Sequence, residues 1–171
     1  IATIPAGVCI NGSGNPNTAS TSTDNTVTYN LALCTNTISY TGPPVAIPDN
    51  TPAGVNIPLN VSGIGTITDL NFRLDPGAGA CDNTAGNTNA SIDHTRNSDL
   101  IVTLRSPTGT TVTLINQRGG TGANFCLTTL DDDGAFPPAS TMPATGAITG
   151  NYAPENPLSA FDGQNATGVW T

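Results

Sequence analysis

Apolar and polar residues alternate along several short stretches of this chain. Val27, Tyr29, Leu31 and Leu33 share one face of residues 26–33, as a half-buried strand requires. Residues 37–40 form a second short candidate strand. Val55, Ile57, Leu59 and Val61 alternate with polar positions, and Pro58 marks that stretch as an edge strand. Leu70, Phe72 and Leu74 repeat the pattern, as do Leu100, Val102 and Leu104. The turn Ser106-Pro107-Thr108-Gly109 then places Pro second and Gly last, and Val112 and Leu114 return on the other side. Residues 99–115 are the strongest hairpin pattern in the chain. Residues 125–130 predict a further strand, and Leu158, Phe161, Val169 and Trp170 are the last large apolar residues. Short strands separated by turn residues predict an all-β domain, a sandwich or jelly roll.

The punctuation between strands predicts the organisation. Thr41-Gly42-Pro43-Pro44 breaks the chain. A boundary there leaves a polar N-terminal extension, 1–44, with one or two strands, and a core domain, 45–171. Residues 75–92 and 131–147 are expected to be long loops.

Composition narrows the function. Charged residues are 9% of the 171, against roughly 25% in an ordinary soluble domain. There is no lysine, and twelve acids oppose four arginines for a net charge of −8. So little positive charge argues against a nucleic-acid partner. No apolar run approaches the ~18 residues of a membrane span. Thr, Asn and Ser make up a third of the chain, a neutral surface that suits an extracellular protein.

Cys9, Cys34, Cys81 and Cys126 allow three disulfide connectivities, of which Cys9–Cys34 with Cys81–Cys126 is favoured. No C-x-x-C pair exists, so a zinc site is not expected. Disulfides imply an oxidising compartment, and a start at Ile1 suggests a mature form after signal-peptide removal. Sequons fall at Asn11, Asn60, Asn89 and Asn165, but this much Asn and Thr produces such matches by chance.

Four motifs carry a family resemblance. They are Ile47-Pro48-Asp49-Asn50; His94-Thr95 with Asp99-Leu100, Val102, Leu104, Ser106-Pro107 and Gly109-Thr110; Leu130-Asp131-Asp132-Asp133; and Tyr152 with Pro154-Glu155, Pro157 to Gly163, Gly168 and Trp170. In order and spacing, residues 47–171 resemble the P domain, the β-barrel module that follows the catalytic domain in proprotein convertases such as kexin and furin. Secreted bacterial proteins carry it too. The resemblance implies a jelly-roll-like β-sandwich of antiparallel strands, no catalytic activity of its own, and often bound calcium. Two departures stand out. An insertion at 75–92 carries Cys81, which would anchor it to the strand of Cys126. The family also continues past its Gly-x-Trp strand with a turn and a closing strand, so a sheet lacking its last strands is expected here.

The acids are the main chemical resource. Asp131, Asp132 and Asp133 are consecutive, and Asp49, Asp99 and Asp162 lie at strand ends within the matched motifs. Adjacent like charges are costly without a counter-ion, and calcium takes six to eight oxygen ligands. These six aspartates are therefore the candidate ligands of a structural calcium site. Against that stand solvated loop acids and Asx-turns. His94, the one histidine, would need a nucleophile such as Ser98 to act as a base, and no Gly-x-Ser-x-Gly elbow exists, so the chain is not expected to be an enzyme. The Gly-rich run 118–122 reads as a turn, because it lacks a Lys and a following helix.

Two functions survive. One is a subunit of a surface or filamentous assembly, built by strand complementation with Val27, Tyr29, Leu31 and Leu33 as the donated face. The other is a calcium-stabilised accessory P domain of a secreted subtilisin-like protease or other multidomain protein. The expected partner is a second copy or another secreted domain.

Overall fold

A computed structural model describes residues 7–8, 14–18, 35–74 and 81–171. The chain divides into two compact units, Ile1–Ile38 and Ser39–Thr171. In the first, the Gly7 amide donates to the Asn17 carbonyl at 3.1 Å. The proposed donor residues Val27, Tyr29, Leu31 and Leu33 lie outside the described residues, as do Cys9 and Cys34.

The second unit is all-β, with no α-helix among the described residues. Its strands are β1 (Leu59–Val61), β2 (Phe72–Leu74), β3 (Ile101–Arg105), β4 (Thr111–Asn116), β5 (Phe125–Leu130), β6 (Ile148–Tyr152) and β7 (Gly168–Trp170). Three short 3-10 turns, Asn97–Asp99, Ala139–Thr141 and Leu158–Phe161, sit between them. The strands form three small sheets: β1–β7, β2–β5–β6 and β3–β4.

The hairpin β3–β4 forms where its turn residues predict. Gly109 N–H donates to Ser106 O at 3.0 Å, closing the turn, and Gly109 has φ +96°, a conformation open to glycine. Thr171 and Arg105 exchange two backbone hydrogen bonds, so the end of β7 joins the end of β3. Leu114, Ile115, Phe125, Leu130, Ile148, Leu158 and Phe161 are fully buried and form the centre of the core. Trp170 packs edge-on against Phe161 with ring centroids 5.1 Å apart. Val169, its neighbour in the strand, faces outward and is exposed, as alternation in a strand requires.

Four expectations are corrected. Residues 37–40 form no strand; the Tyr40 hydroxyl instead donates to Pro43 O at 3.0 Å, a local turn contact. The stretch from Val55 to Val61 pairs only over Leu59–Val61, because Gly54 closes a turn onto Thr51 and Pro58 has no N–H to offer. Strand β6 lies in a stretch where no strand was expected. It also pairs with β5 in parallel, so the sheets are not antiparallel throughout. Strand β5 carries a bulge between Phe125 and Thr128, with Leu127 at φ +44° and its side chain exposed.

Candidate functional site

The register of β2 against β5 assembles the main group of acids. Phe72 pairs with Leu130, antiparallel, so continuing outward sets Asn71 opposite Asp131 and Asp69 opposite Asp133. Asn71 presents its amide nitrogen to both Asp131 carboxylate oxygens at 3.2 Å, in the amide orientation that satisfies both partners. Asp131 also accepts from the Asp133 amide at 2.8 Å, an Asx-turn that bends the loop. Asp132 accepts from the Ser159 amide at 3.0 Å, tying this loop to the turn that leads into Asp162.

Asp69 feels all of this. Its carboxyl is held above the usual carboxylate range, first by desolvation, then by the charges of Asp133 and Asp131, a hydrogen bond with Asp133, and the charge of Asp162. Asp69 keeps much of its surface exposed, so solvent screens part of this effect. Asp69 thus lies within the electrostatic reach of Asp131, Asp133 and Asp162, and Asn71 faces Asp131; no sequence spacing singled out Asp69 or Asn71. Among the described residues, no three or more His, Cys, Asp or Glu side chains are gathered closely enough to hold a metal ion as they stand.

Asp49 and Asp99 lie elsewhere, on either side of residues 94–96. Asp49 is 3.8 Å from His94 Nε2, and Asp99 is 3.6 Å from Arg96 Nε. The His94 amide donates to Asn124 Oδ1 at 3.2 Å, and its ring Nδ1 lies 2.9 Å from Arg96 O. Ser98 Oγ accepts from Arg96 Nε at 3.1 Å, so it faces the arginine and not the imidazole. That arrangement turns a loop; it does not activate a nucleophile.

The insertion is bound to the body. Cys81 and Cys126 form a disulfide with Cα atoms 6.0 Å apart. Asn124 Nδ2 donates to the carbonyls of Asp82 and Thr84, each at 2.9 Å, and Asp93 accepts from the Gly86 amide. A second hub is Gln164. Its Oε1 accepts from Ser106 and Thr108, while its Nε2 donates to Thr110 Oγ1 and Ala160 O. One side chain thereby locks the β3–β4 turn to the loop before β7. The Gly-rich run 118–122 is a tight turn: Thr121 N–H donates to Ala144 O at 2.9 Å, and a Cβ on Gly120 would press on Ala144.

Arg118 and Glu155 form a half-buried ion pair, with Nε and Nη2 donating to the two carboxylate oxygens. The guanidinium hydrogen bonds are the main reason the Glu155 carboxyl lies below its ordinary range, outweighing desolvation. A carboxyl depressed in the folded state contributes stability that is present above its unfolded pKa and lost as pH falls through the folded one. Glu155→Gln is therefore expected to be less stable than the parent at pH 7. The gap should close as pH falls below about 4.5, the ordinary value for a glutamate. Urea melts at a series of pH values check this; a gap that is constant with pH rules it out. Asp69 acts with the opposite sign, adding stability as pH falls through its raised pKa.

Residues 87–171 match the family model of the proprotein convertase P-domain. The match takes in the His94, Asp131 and Tyr152–Trp170 motifs and leaves Ile47–Asn50 outside. No curated protein and no solved structure matches the chain.

Proposed function

Since residues 87–171 belong to the proprotein convertase P-domain family, we propose that the chain is a non-catalytic extracellular module, a jelly-roll-like sandwich stabilised by calcium. Its role is to support or target a larger secreted protein, and a subtilisin-like protease is the partner type the family suggests. One observation supports the calcium reading: Asp132 ties the loop at 131–133 to Ser159, and Asp69 lies where the charges of Asp131, Asp133 and Asp162 act on it. Hard carboxylate oxygens are the donors calcium prefers, and a divalent cation would offset the carboxylate repulsion that adds to desolvation in raising the Asp69 pKa. Asp69, Asp131, Asp133 and Asp162 are the proposed ligands, which would have to draw closer to hold the ion, with Asp132 fixing the loop through Ser159. Asp49 and Asp99 are not in this group.

Binding to the folded state alone stabilises it by mass action, about 2.7 kcal/mol at a calcium concentration 100-fold above Kd. For a domain of this size that is roughly 5–10 °C in Tm. Calorimetric scans in calcium and in EDTA are expected to differ by that amount, and Asp131→Asn should abolish the difference. A Tm indifferent to calcium in the parent protein would sink the proposal.

A second reading is favoured by the edge leading into β1. Val55 and Ile57 are exposed on extended, unladdered backbone whose apolar alternation continues into Leu59 and Val61. An apolar strand edge of this kind is a template for strand addition. In this reading the chain is a subunit of a surface or filamentous assembly. Residues 1–44 act as an extension, and Val27, Tyr29, Leu31 and Leu33 form the strand passed to a neighbouring copy. Ordered fibres in negative-stain images of the native protein are the expected result; monodisperse monomers at high concentration would exclude it.

A further inference from the structure

Residues 39–46, Ser-Tyr-Thr-Gly-Pro-Pro-Val-Ala, are all exposed and belong to no strand, helix or bridge. Among the described residues, their only hydrogen bond is the exposed Tyr40 hydroxyl to Pro43 O. Three other surface connections of the body are held. The turn at 106–110 is closed by backbone bonds and by Gln164. Residues 81–93 are fixed by the disulfide and by Asn124. The loop at 131–133 is tied to Ser159.

Endopeptidases bind several consecutive residues as an extended strand, so they cut first where backbone is exposed and unpaired. The side chain before the cut then decides which protease acts. Tyr40 is 43% exposed and is flanked by small polar residues. Pro43 and Pro44 lie two and three residues beyond Thr41, clear of the bond that would break. No Lys or Arg precedes Arg73 in the chain, so a protease that requires a basic residue has no site in this segment.

We propose that residues 39–46 are a processing site for an endopeptidase with an apolar primary pocket, of the chymotrypsin type, which hydrolyses the Tyr40–Thr41 bond. One water is consumed, leaving a carboxylate on Tyr40 and a new amino group on Thr41. Among the described residues the core lies beyond this point, so the fragment from Thr41 to Thr171 is expected to keep its fold.

The test is limited digestion of the full chain by chymotrypsin under native conditions, followed by intact mass and N-terminal sequencing. The first product is expected to start at Thr41 and to outlast the parent chain at least tenfold. Tyr40→Gly should slow this cut at least tenfold with an unchanged Tm, because the side chain lies outside the core. Trypsin should create no new N-terminus before Leu74. A first cut at any other bond, or equal cutting rates for parent and Tyr40→Gly, overturns the proposal.

Discussion

Trp170→Ala is expected to cost about 3–5 kcal/mol of folding stability, the range for truncating a large buried aromatic. Trp170 is 5% exposed and packs edge-on against the fully buried Phe161. Its indole Nε1 donates to Ala166 O at 2.8 Å, fixing the turn that precedes β7. The substitution therefore removes an aromatic contact, opens a cavity and leaves a carbonyl unpaired in one step. It also loosens β7, which pairs with β1 and continues through Thr171 to Arg105. Urea denaturation followed by circular dichroism is the measurement, since the chain's one tryptophan is lost with the mutation. Should the alanine variant not fold, Trp170→Phe keeps most of the volume and isolates the lost hydrogen bond, at about 1–3 kcal/mol. Val169→Ala serves as the control: its side chain is exposed, so a change within about 0.5 kcal/mol is expected. Equal effects at 169 and 170 would mean that β7 does not seat as described.

Removing the Cys81–Cys126 disulfide is the next largest effect. The bond spans 45 residues of sequence, and the chain-entropy model gives about 4 kcal/mol for a loop of that length. The native state should tolerate the loss in place, because Asn124 and Asn83 still hold the loop through side-chain hydrogen bonds to its ends. A double replacement, Cys81→Ala with Cys126→Ala, changes this bond alone, whereas a reducing agent would reach every cysteine. Guanidinium titration of the double variant is expected to show a loss of roughly 2–4 kcal/mol. A loss below about 0.5 kcal/mol would show that the unfolded chain is already held compact there.

The hairpin β3–β4 was readable because everything that defines it is local. Its turn residues, its alternation and its closing hydrogen bonds all fall within residues 99–116. The same holds for β5, whose apolar content is dense enough to stand out. Strand β6 was not readable. Ile-Thr-Gly-Asn-Tyr carries a Gly and an Asn in its middle, and of its side chains only Ile148 is fully buried. It is a strand because β5 lies alongside it in parallel, a partner that its own composition does not announce. Residues 37–40 show the converse: they alternate well, yet no described strand is there to pair with them.

The acids divide along the same line. Asp131, Asp132, Asp133 and Asp162 could be picked out as a resource from their density and motifs. Asp69 and Asn71 could not, since an acid and an amide beside a strand are unremarkable in a chain with eleven Asp and nineteen Asn. Nor could the separation of Asp49 and Asp99 from the rest be foreseen.

Alternation and turn chemistry were enough to read an all-β fold and a hairpin at 99–115, because each depends on neighbours a few residues apart. Which carboxylates meet was decided by the pairing of β2 with β5, strands more than fifty residues apart in sequence. A shift of that register by one residue would turn Asp69 away from Asp133, and strand register between distant segments is set by how their side chains pack into the shared core.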